Sequence, residues 1–360
     1  MSNTLNKLPN FQTMCAELVG LSTVSSLDPK VDQGNIVFIH RLGQWLEDIG
    51  FHVDIRHLPH NQQKANLLAY PKNTELKILF SGHSDTVPIS HNAWQSDPFT
   101  LIEDGNTWKG LGICDMKAFF PLFIETIKPL LTNNQALPVG LLVTSDEETT
   151  MDGARFMTEN LYKKPSHVII GEPTDAKPIS SHKGYLAYAI KAIGKSAHSS
   201  DPSAGINAIE VMHYCLEKLI AFQKLLEETY HDSSFKVPYP TLNLGLIQGG
   251  SSINAISDAC RIDFEIRPIP QMSTDTIVRQ LQSICDHVSA QCQTPIQLIP
   301  LYEPIPGFSS QKDSKLIEAS EIICGCKADA VNFTTEASFF SAKNIDTLVL
   351  GPGSISQAHQ

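Results

Sequence analysis

No apolar run in the 360 residues approaches the ~20 that a membrane-spanning helix needs. The N-terminus, MSNTLNKLPNFQ, lacks the basic start and apolar centre of a secretory leader, which predicts a cytoplasmic protein. Clusters of Lys and Arg are missing as well, and 27 basic residues face 38 acidic ones for a net charge of −11. Neither a nucleic acid nor a membrane is therefore expected as a partner. An acidic surface keeps the chain soluble and weakly favours a cationic small substrate. Internal repeats and low-complexity segments are also absent. The eight cysteines are scattered, and the one close pair, Cys324-Gly325-Cys326, has the wrong spacing for a zinc knuckle. Most lie in apolar segments such as LQSIC and ASEIIC, which predicts reduced core thiols.

What the chain does contain is 42% hydrophobic residues over a length that suits two domains. From 35 to 180 the texture is α/β. In NIVFIHRLGQWLEDIGFHVDI, Ile39, Leu42, Leu46 and Ile49 recur at helical spacing before a stop at Gly50. LKILFSGH, PVGLLVTS and SHVIIGEP are short apolar runs bounded by turn residues, the pattern of strands buried on both faces. DMKAFFPLFIETIKPLL reads as a buried helix. Near residue 182 the pattern changes to alternating strands and two long helices, in the order β-α-β-β-α, which predicts a small antiparallel sheet with two helices on one face. After about 295 the α/β texture returns. The expected architecture is one α/β domain, 1–182 and 295–360, with a mixed and mostly parallel sheet, interrupted by a two-layer α+β insertion at 183–294.

Ligands of an open α/β sheet sit beyond the carboxyl ends of its strands. LKILF is followed by SGHSDTVP with His83 and Asp85, PVGLLV by TSDEE with Glu147 and Glu148, HVII by GEPTD with Glu172, and DTLVL by GPGSISQAHQ with His359. GLGICDMK places Asp115 in a Gly-rich loop before the buried helix. Each has a plainer reading alone: a histidine after a strand as a surface or capping residue, Asp115 as a helix cap, Asp85 as a turn former. Together they bring two histidines and four carboxylates to one sheet edge, an N/O set suited to zinc or a similar divalent ion. Even with one carboxylate reserved for catalysis, the remaining ligands exceed one tetrahedral site and suit two metals sharing a bridging carboxylate. In HSD the Asp85 carboxylate is placed to hold the imidazole of His83.

In order and spacing, GHSDTVP, GLGICDMK, TSDEE, GEPTD and the final QAH resemble the five metal-site motifs of the dinuclear zinc amidohydrolase family. That family comprises aminoacylases, desuccinylases, glutamate carboxypeptidases and acetylornithine deacetylases. The resemblance covers essentially the whole chain. TSDEETTMDGAR, HKGYLAYAIKAIGKSAHSSDPSAGINAI, the TEA of NFTTEASFF and GPGSISQAHQ are most similar to the deacetylase branch. It implies a zinc-peptidase-like catalytic domain with an inserted dimerisation domain, and two divalent ions, zinc with cobalt as a substitute. One ion would lie on His83, Asp115 and Glu172, the other on Asp115, Glu148 and His359, with Asp115 bridging. Glu147 would be the general base, and only the resemblance separates its role from that of Glu148. His198 would reach a partner subunit's active site and stabilise the oxyanion. Asn254 and Arg267 would meet the substrate's α-carboxylate, and Glu336 a side-chain ammonium. A cis peptide is expected between Asp115 and Met116. The implied reaction is hydrolysis of the N-acetyl amide of N2-acetyl-L-ornithine, in arginine biosynthesis.

Two departures stand out. Ala118, Phe119 and Phe120 occupy positions where the family has small glycines, so they repack the helix or narrow the cleft. Family members also continue beyond the last metal histidine, whereas here the sequence stops at Gln360; a shortened chain with weaker occupancy of the second metal is the expectation. Alternatives are another N-acyl-amino-acid hydrolase, such as a general aminoacylase or succinyl-diaminopimelate desuccinylase, and a non-catalytic relative that only binds.

Overall fold

The computed structural model describes residues 8–72, 74–90, 94–131 and 137–358. The chain divides into two units. One is formed by residues up to Ser180, with Ser310–Ala328 and the residues from Thr335 onward; the other by Ser181–Ser309 and Asp329–Thr334. In chain order the first stretch carries α1 (Phe11–Gly20), α2 (Ile36–Asp48), β1 (Phe51–Leu58), β2 (Asn61–Pro71), β3 (Ile78–His83), β4 (Ile102–Asp104) and β5 (Thr107–Lys109). It continues through α3 (Phe119–Leu131), β6 (Val139–Thr144), α4 (Asp152–Glu159) and β7 (His167–Ile170), and then β8 (Ile179–His182) leads onward. The insertion contains β9 (Leu186–Ile193), α5 (Ala208–Thr229), β10 (Thr241–Gly249), β11 (Ala259–Arg267), α6 (Thr274–Cys292), β12 (Ile296–Pro300) and β13 (Phe308–Ser309). The chain ends with α7 (Lys315–Cys324), β14 (Asp329–Val331), α8 (Ala337–Ala342) and β15 (Asp346–Val349).

In the first unit the strand order is β1-β2-β6-β3-β7-β15. β3 runs parallel to both β6 and β7, and β7 parallel to β15, while β1 and β2 add an antiparallel margin. The continuous apolar runs of the parallel strands are explained by helices on both faces, because alternate side chains point opposite ways. Leu67 and Ala69 of β2 pack with Leu141 and Val143 of β6 against Leu18, Phe38, Leu42, Phe120 and Ile124 of α1, α2 and α3. On the opposite face Asn66 donates to the Gly153 carbonyl of α4 at 3.3 Å. Phe119 and Phe120 are both buried in this core, so the aromatic pair after Lys117 repacks the helix. Among the described residues no helix is long and apolar enough to cross a membrane.

The second unit is an antiparallel sheet in the order β10-β11-β9-β12. Along β11 the residues Cys260, Ile262, Phe264 and Ile266 are buried and alternate with Arg261, Asp263 and Glu265, so one face is apolar. That face packs against Met212, Cys215, Leu219 and Phe222 of α5 and Ile277, Leu281 and Cys285 of α6. The insertion continues to Ser309, past the 294 predicted from texture, because β12 pairs with β9.

Candidate metal centre

β6, β3 and β7 are consecutive parallel neighbours, so the loops leaving them emerge at one edge of the sheet. β3 ends in His83 itself. After β6, Asp146 has a φ of +61° and reverses the chain. Its carboxylate accepts from Lys64 Nζ at 2.5 Å and Ser25 Oγ at 2.9 Å. Burial works against the Lys64 ammonium, but Asp146 and Asp32 outweigh it and hold its pKa above the ordinary lysine value. The next two backbone amides, of Glu147 and Glu148, donate to the two oxygens of Asp85 at 3.1 and 3.0 Å. One side chain and two amides are thus committed to the scaffold, which sets Glu147 and Glu148 at the sheet edge beside His83.

His83 is 1% exposed. Its Nδ1 bonds the backbone carbonyl of Asp85 at 3.0 Å, and its Nε2 lies 3.0 Å from Asp115 Oδ1 and 3.8 Å from Glu172 Oε1. The hydrogen bond expected from the Asp85 carboxylate to this imidazole is not the one that forms. Asp85 Oδ1 stands 3.7 Å away, at ion-pair distance, while Oδ1 accepts the Glu147 amide and Oδ2 the Glu148 amide, and the Asp85 carbonyl makes the hydrogen bond to the ring instead. Asp115 is carried by an irregular turn over Ile113–Lys117 whose Asp115-Met116 peptide is cis. Behind it Lys117, fully buried, donates to the Leu21 carbonyl at 2.7 Å, and burial pushes its pKa down to about 7.

The cluster is crowded with negative charge. Enclosure raises the carboxyl pKa of Glu147 well above the usual range, and Glu172, Glu148 and Glu336 add to it while His83 opposes. Glu172 is shifted the same way by burial and then by Asp115, again opposed by His83. Burial likewise works against charge on His83, but Asp115, Asp85 and Glu172 outweigh it and hold the imidazole well above its ordinary pKa. Glu172 Oε1 has no hydrogen-bond partner. Donor atoms of His83, Glu147 and Glu172 lie within 4.8 Å of one another, as do those of His83, Asp115 and Glu148. Repelling carboxylates, a shared imidazole nitrogen and an orphaned buried oxygen form a donor set short of positive charge, and it fits divalent cations.

His359 lies outside the described residues. The segment before it, through Gln357 and Ala358, lines a cleft of about 580 Å³ together with Asp115, Glu148, Trp94 and Trp108. Glu336, at the start of α8, is 1% exposed, and neither carboxylate oxygen makes a hydrogen bond of ordinary geometry. Burial pushes its pKa to about 7, only partly offset by the Thr144 and Ser81 hydroxyls and by His83. His198, Asn254 and Arg267 belong to the second unit. His198 and Asn254 are exposed neighbours: His198 bridges Ala255, and the Ser199 amide donates to the Asn254 carbonyl at 3.1 Å. Arg267 pairs with Glu265 at 3.2 Å and lies over the Tyr185 ring at 5.1 Å. Sequence reasoning missed Lys64, whose signal is a single cation at the head of the apolar run ANLLAY. It missed too that Gly82 and Gly171 leave room for Met116 and Phe119 beneath the centre.

Residues 180–291 match a family described as a peptidase dimerisation domain. Over 354 residues the chain is 44% identical to an acetylornithine deacetylase of Vibrio parahaemolyticus, covering 98% of this chain and 93% of that one. An acetylornithine deacetylase of Erwinia tasmaniensis is 40% identical over 98% of this chain and 92% of its own. Among solved structures, an M20 family metallo-carboxypeptidase from Sulfolobus solfataricus aligns with a TM-score of 0.75 at 16% identity, over 98% of this chain and 94% of that one. A dinuclear metal-binding peptidase of the M20 family from Bacillus subtilis aligns with a TM-score of 0.64 at 15% identity, over 98% and 90%.

Proposed function

The chain belongs to the acetylornithine deacetylase family, and from that premise we propose that it hydrolyses the N-acetyl amide of N2-acetyl-L-ornithine to L-ornithine and acetate. The observation that carries this is the gathering of His83, Asp115, Glu147, Glu148 and Glu172 at one sheet edge of a chain so similar to named deacetylases. It is a hydrolase that uses divalent metal. The finer reading is two zinc ions, with cobalt able to substitute, in a cytoplasmic homodimer serving arginine biosynthesis. The dimerisation-domain match over 180–291 supports the second unit as the dimer-forming element.

His83, Asp115 and Glu172 would hold one ion, and Asp115, Glu148 and His359 the other. When bound, the ions supply Lewis-acid polarisation of the amide carbonyl and lower the pKa of water. Glu147 takes a proton from the attacking water on its carboxylate and returns it to the leaving amine nitrogen. Burial, and then Glu172, raise its pKa well above the usual carboxylate range, which supports service in both directions. Asp85 is the positioning residue, holding the Glu147 and Glu148 amides and, by its carbonyl, the His83 ring. His198 stabilises negative charge on the carbonyl oxygen in a partner subunit, a role its exposure supports. Asn254 and Arg267 receive the α-carboxylate. Glu336 meets the ornithine side-chain ammonium, and its two unpartnered buried oxygens support a cationic partner.

Metal analysis together with turnover of three substrates tests the reading. N2-acetylornithine should give the highest kcat/KM, above N-acetylmethionine and N-succinyl-diaminopimelate. A higher value for either rival would place the chain with another N-acyl-amino-acid hydrolase. Metal bound without turnover of any of the three would make it a binding relative.

A further inference from the structure

Cys324-Gly325-Cys326 plays no part in the metal centre. α7 ends at Cys324, and Gly325 follows with a φ of +68° while its N–H closes the helix on the Glu321 carbonyl at 2.9 Å. Helical dihedrals of either hand set the Cα atoms on both sides of a residue about 5.4 Å apart, from the rise and radius of the helix. Gly325 is the left-handed case. That spacing falls in the middle of the ~4.4–6.8 Å range over which two cysteines bridge. An extended residue would hold them about 6.6 Å apart, near its limit. Glycine is the residue that reaches this conformation without a steric penalty, so the middle position is matched to the pair.

Burial raises the Cys324 thiol, and the neighbouring Cys326 adds to the shift. Both cysteines are free and only partly buried. Cys326 lines an open surface groove with Glu318, Glu321 and Ile322. Among the described residues no third metal-ligating side chain joins them, so a zinc site is not built here. The cation beside them, Lys327, is engaged by Glu321 at 2.6 Å.

We propose that Cys324 and Cys326 form a reversible thiol–disulfide couple that exchanges with low-molecular-weight disulfides. Cys326, which faces the groove, loses its proton, and its thiolate attacks one sulfur of the disulfide RSSR. A Cys326–SR bond forms and RS⁻ leaves. Cys324 then gives up its proton, attacks the Cys326 sulfur, closes the Cys324–Cys326 bond and expels the second RS⁻. The protein loses two electrons and two protons, and RSSR becomes two RSH; excess thiol drives the reverse. Because the second attack is intramolecular across one residue, it outruns collection of the mixed disulfide.

Oxidised glutathione is the probe, with alkylation of remaining thiols and peptide mass mapping as the readout. Cys292, also partly exposed, is the internal comparison. The intact protein should lose two alkylatable thiols at this site, found in one internally bonded peptide and restored by dithiothreitol. In Cys324→Ser, glutathione should instead remain on Cys326. Glutathione persisting on Cys326 in the wild type would overturn the proposal. So would two thiols still alkylatable after exposure in which Cys292 has reacted.

Discussion

Raising the pH should loosen the metal-free first unit, and Glu336 carries a calculable share of the loss. Burial lifts its carboxyl from 4.5 to about 7. Between those values the folded state keeps a proton that the unfolded state has released, so the free energy of unfolding falls as pH rises. A shift of about 2.5 units at ~1.36 kcal/mol each gives about 3 kcal/mol in total, of which about 2 kcal/mol falls between pH 5 and pH 7. Glu147 and Glu172 are displaced in the same direction, and the contribution of His83, raised above 6.5, is lost as pH climbs through its folded value. The lowered lysines act in the opposite direction, because above their folded values, about 7 for Lys117 and about 8 for Lys183, the unfolded state holds the extra proton and stability rises with pH; both are common to the two proteins compared below. The three tryptophans, Trp45, Trp94 and Trp108, all lie in the first unit, so tryptophan fluorescence during urea unfolding reports on it. Chelator-treated wild type and Glu336→Gln should have similar stability at pH 5. By pH 7 the wild type should fall about 2 kcal/mol below the variant. Adding divalent metal should flatten the wild-type slope, because a cation favours the charged carboxylates. Parallel profiles for the two proteins from pH 5 to 7 would refute the reasoning.

Glu147→Ala should keep its bound metal and lose turnover by roughly 10²–10⁴, whereas Glu148→Ala should lose metal; metal content beside kcat separates them. Asp85→Ala strips the Glu147 and Glu148 amides of a charged acceptor, and a cost of about 2–4 kcal/mol in unfolding free energy is expected, with weaker metal affinity by chelator competition. In Gly171→Ala the added methyl meets the Phe119 ring directly below Glu172. The Tm should drop by an amount equivalent to about 1–3 kcal/mol, and metal stoichiometry should fall with it.

The strands of the first unit were readable because buried parallel strands are written as unbroken apolar runs, and the residue that follows each run is where an open sheet presents its chemistry. That His83, Glu147, Glu148 and Glu172 gather at one sheet edge was therefore legible from position alone, and the cis bond after Asp115 came from the resemblance. The alternation in β11 likewise announced a sheet with one covered face. What could not be read was partnership over distance. HSD spacing suggests that Asp85 serves its own histidine, yet its carboxylate bonds amides 62 and 63 residues away. Lys64 looks like a surface lysine until Asp32 and Asp146 are seen on either side of it. The far boundary of the insertion was missed for the same reason. IQLIP has the apolar texture of either unit, and only its pairing with β9 assigns it.

Asp85 touches two of the ligand-bearing segments of the centre, the Glu147-Glu148 amides through its carboxylate and the His83 ring through its carbonyl. It thereby serves as a common datum. If thermal motion displaces this residue, the imidazole and the glutamates ride with it, and much of the displacement cancels in the distances between them. Separately anchored loops would add their wanderings instead. An ion responds to the gaps among its donors, not to where the group stands as a whole, so the tolerance between His83 and the two glutamates is set by correlated error, with one residue as its source.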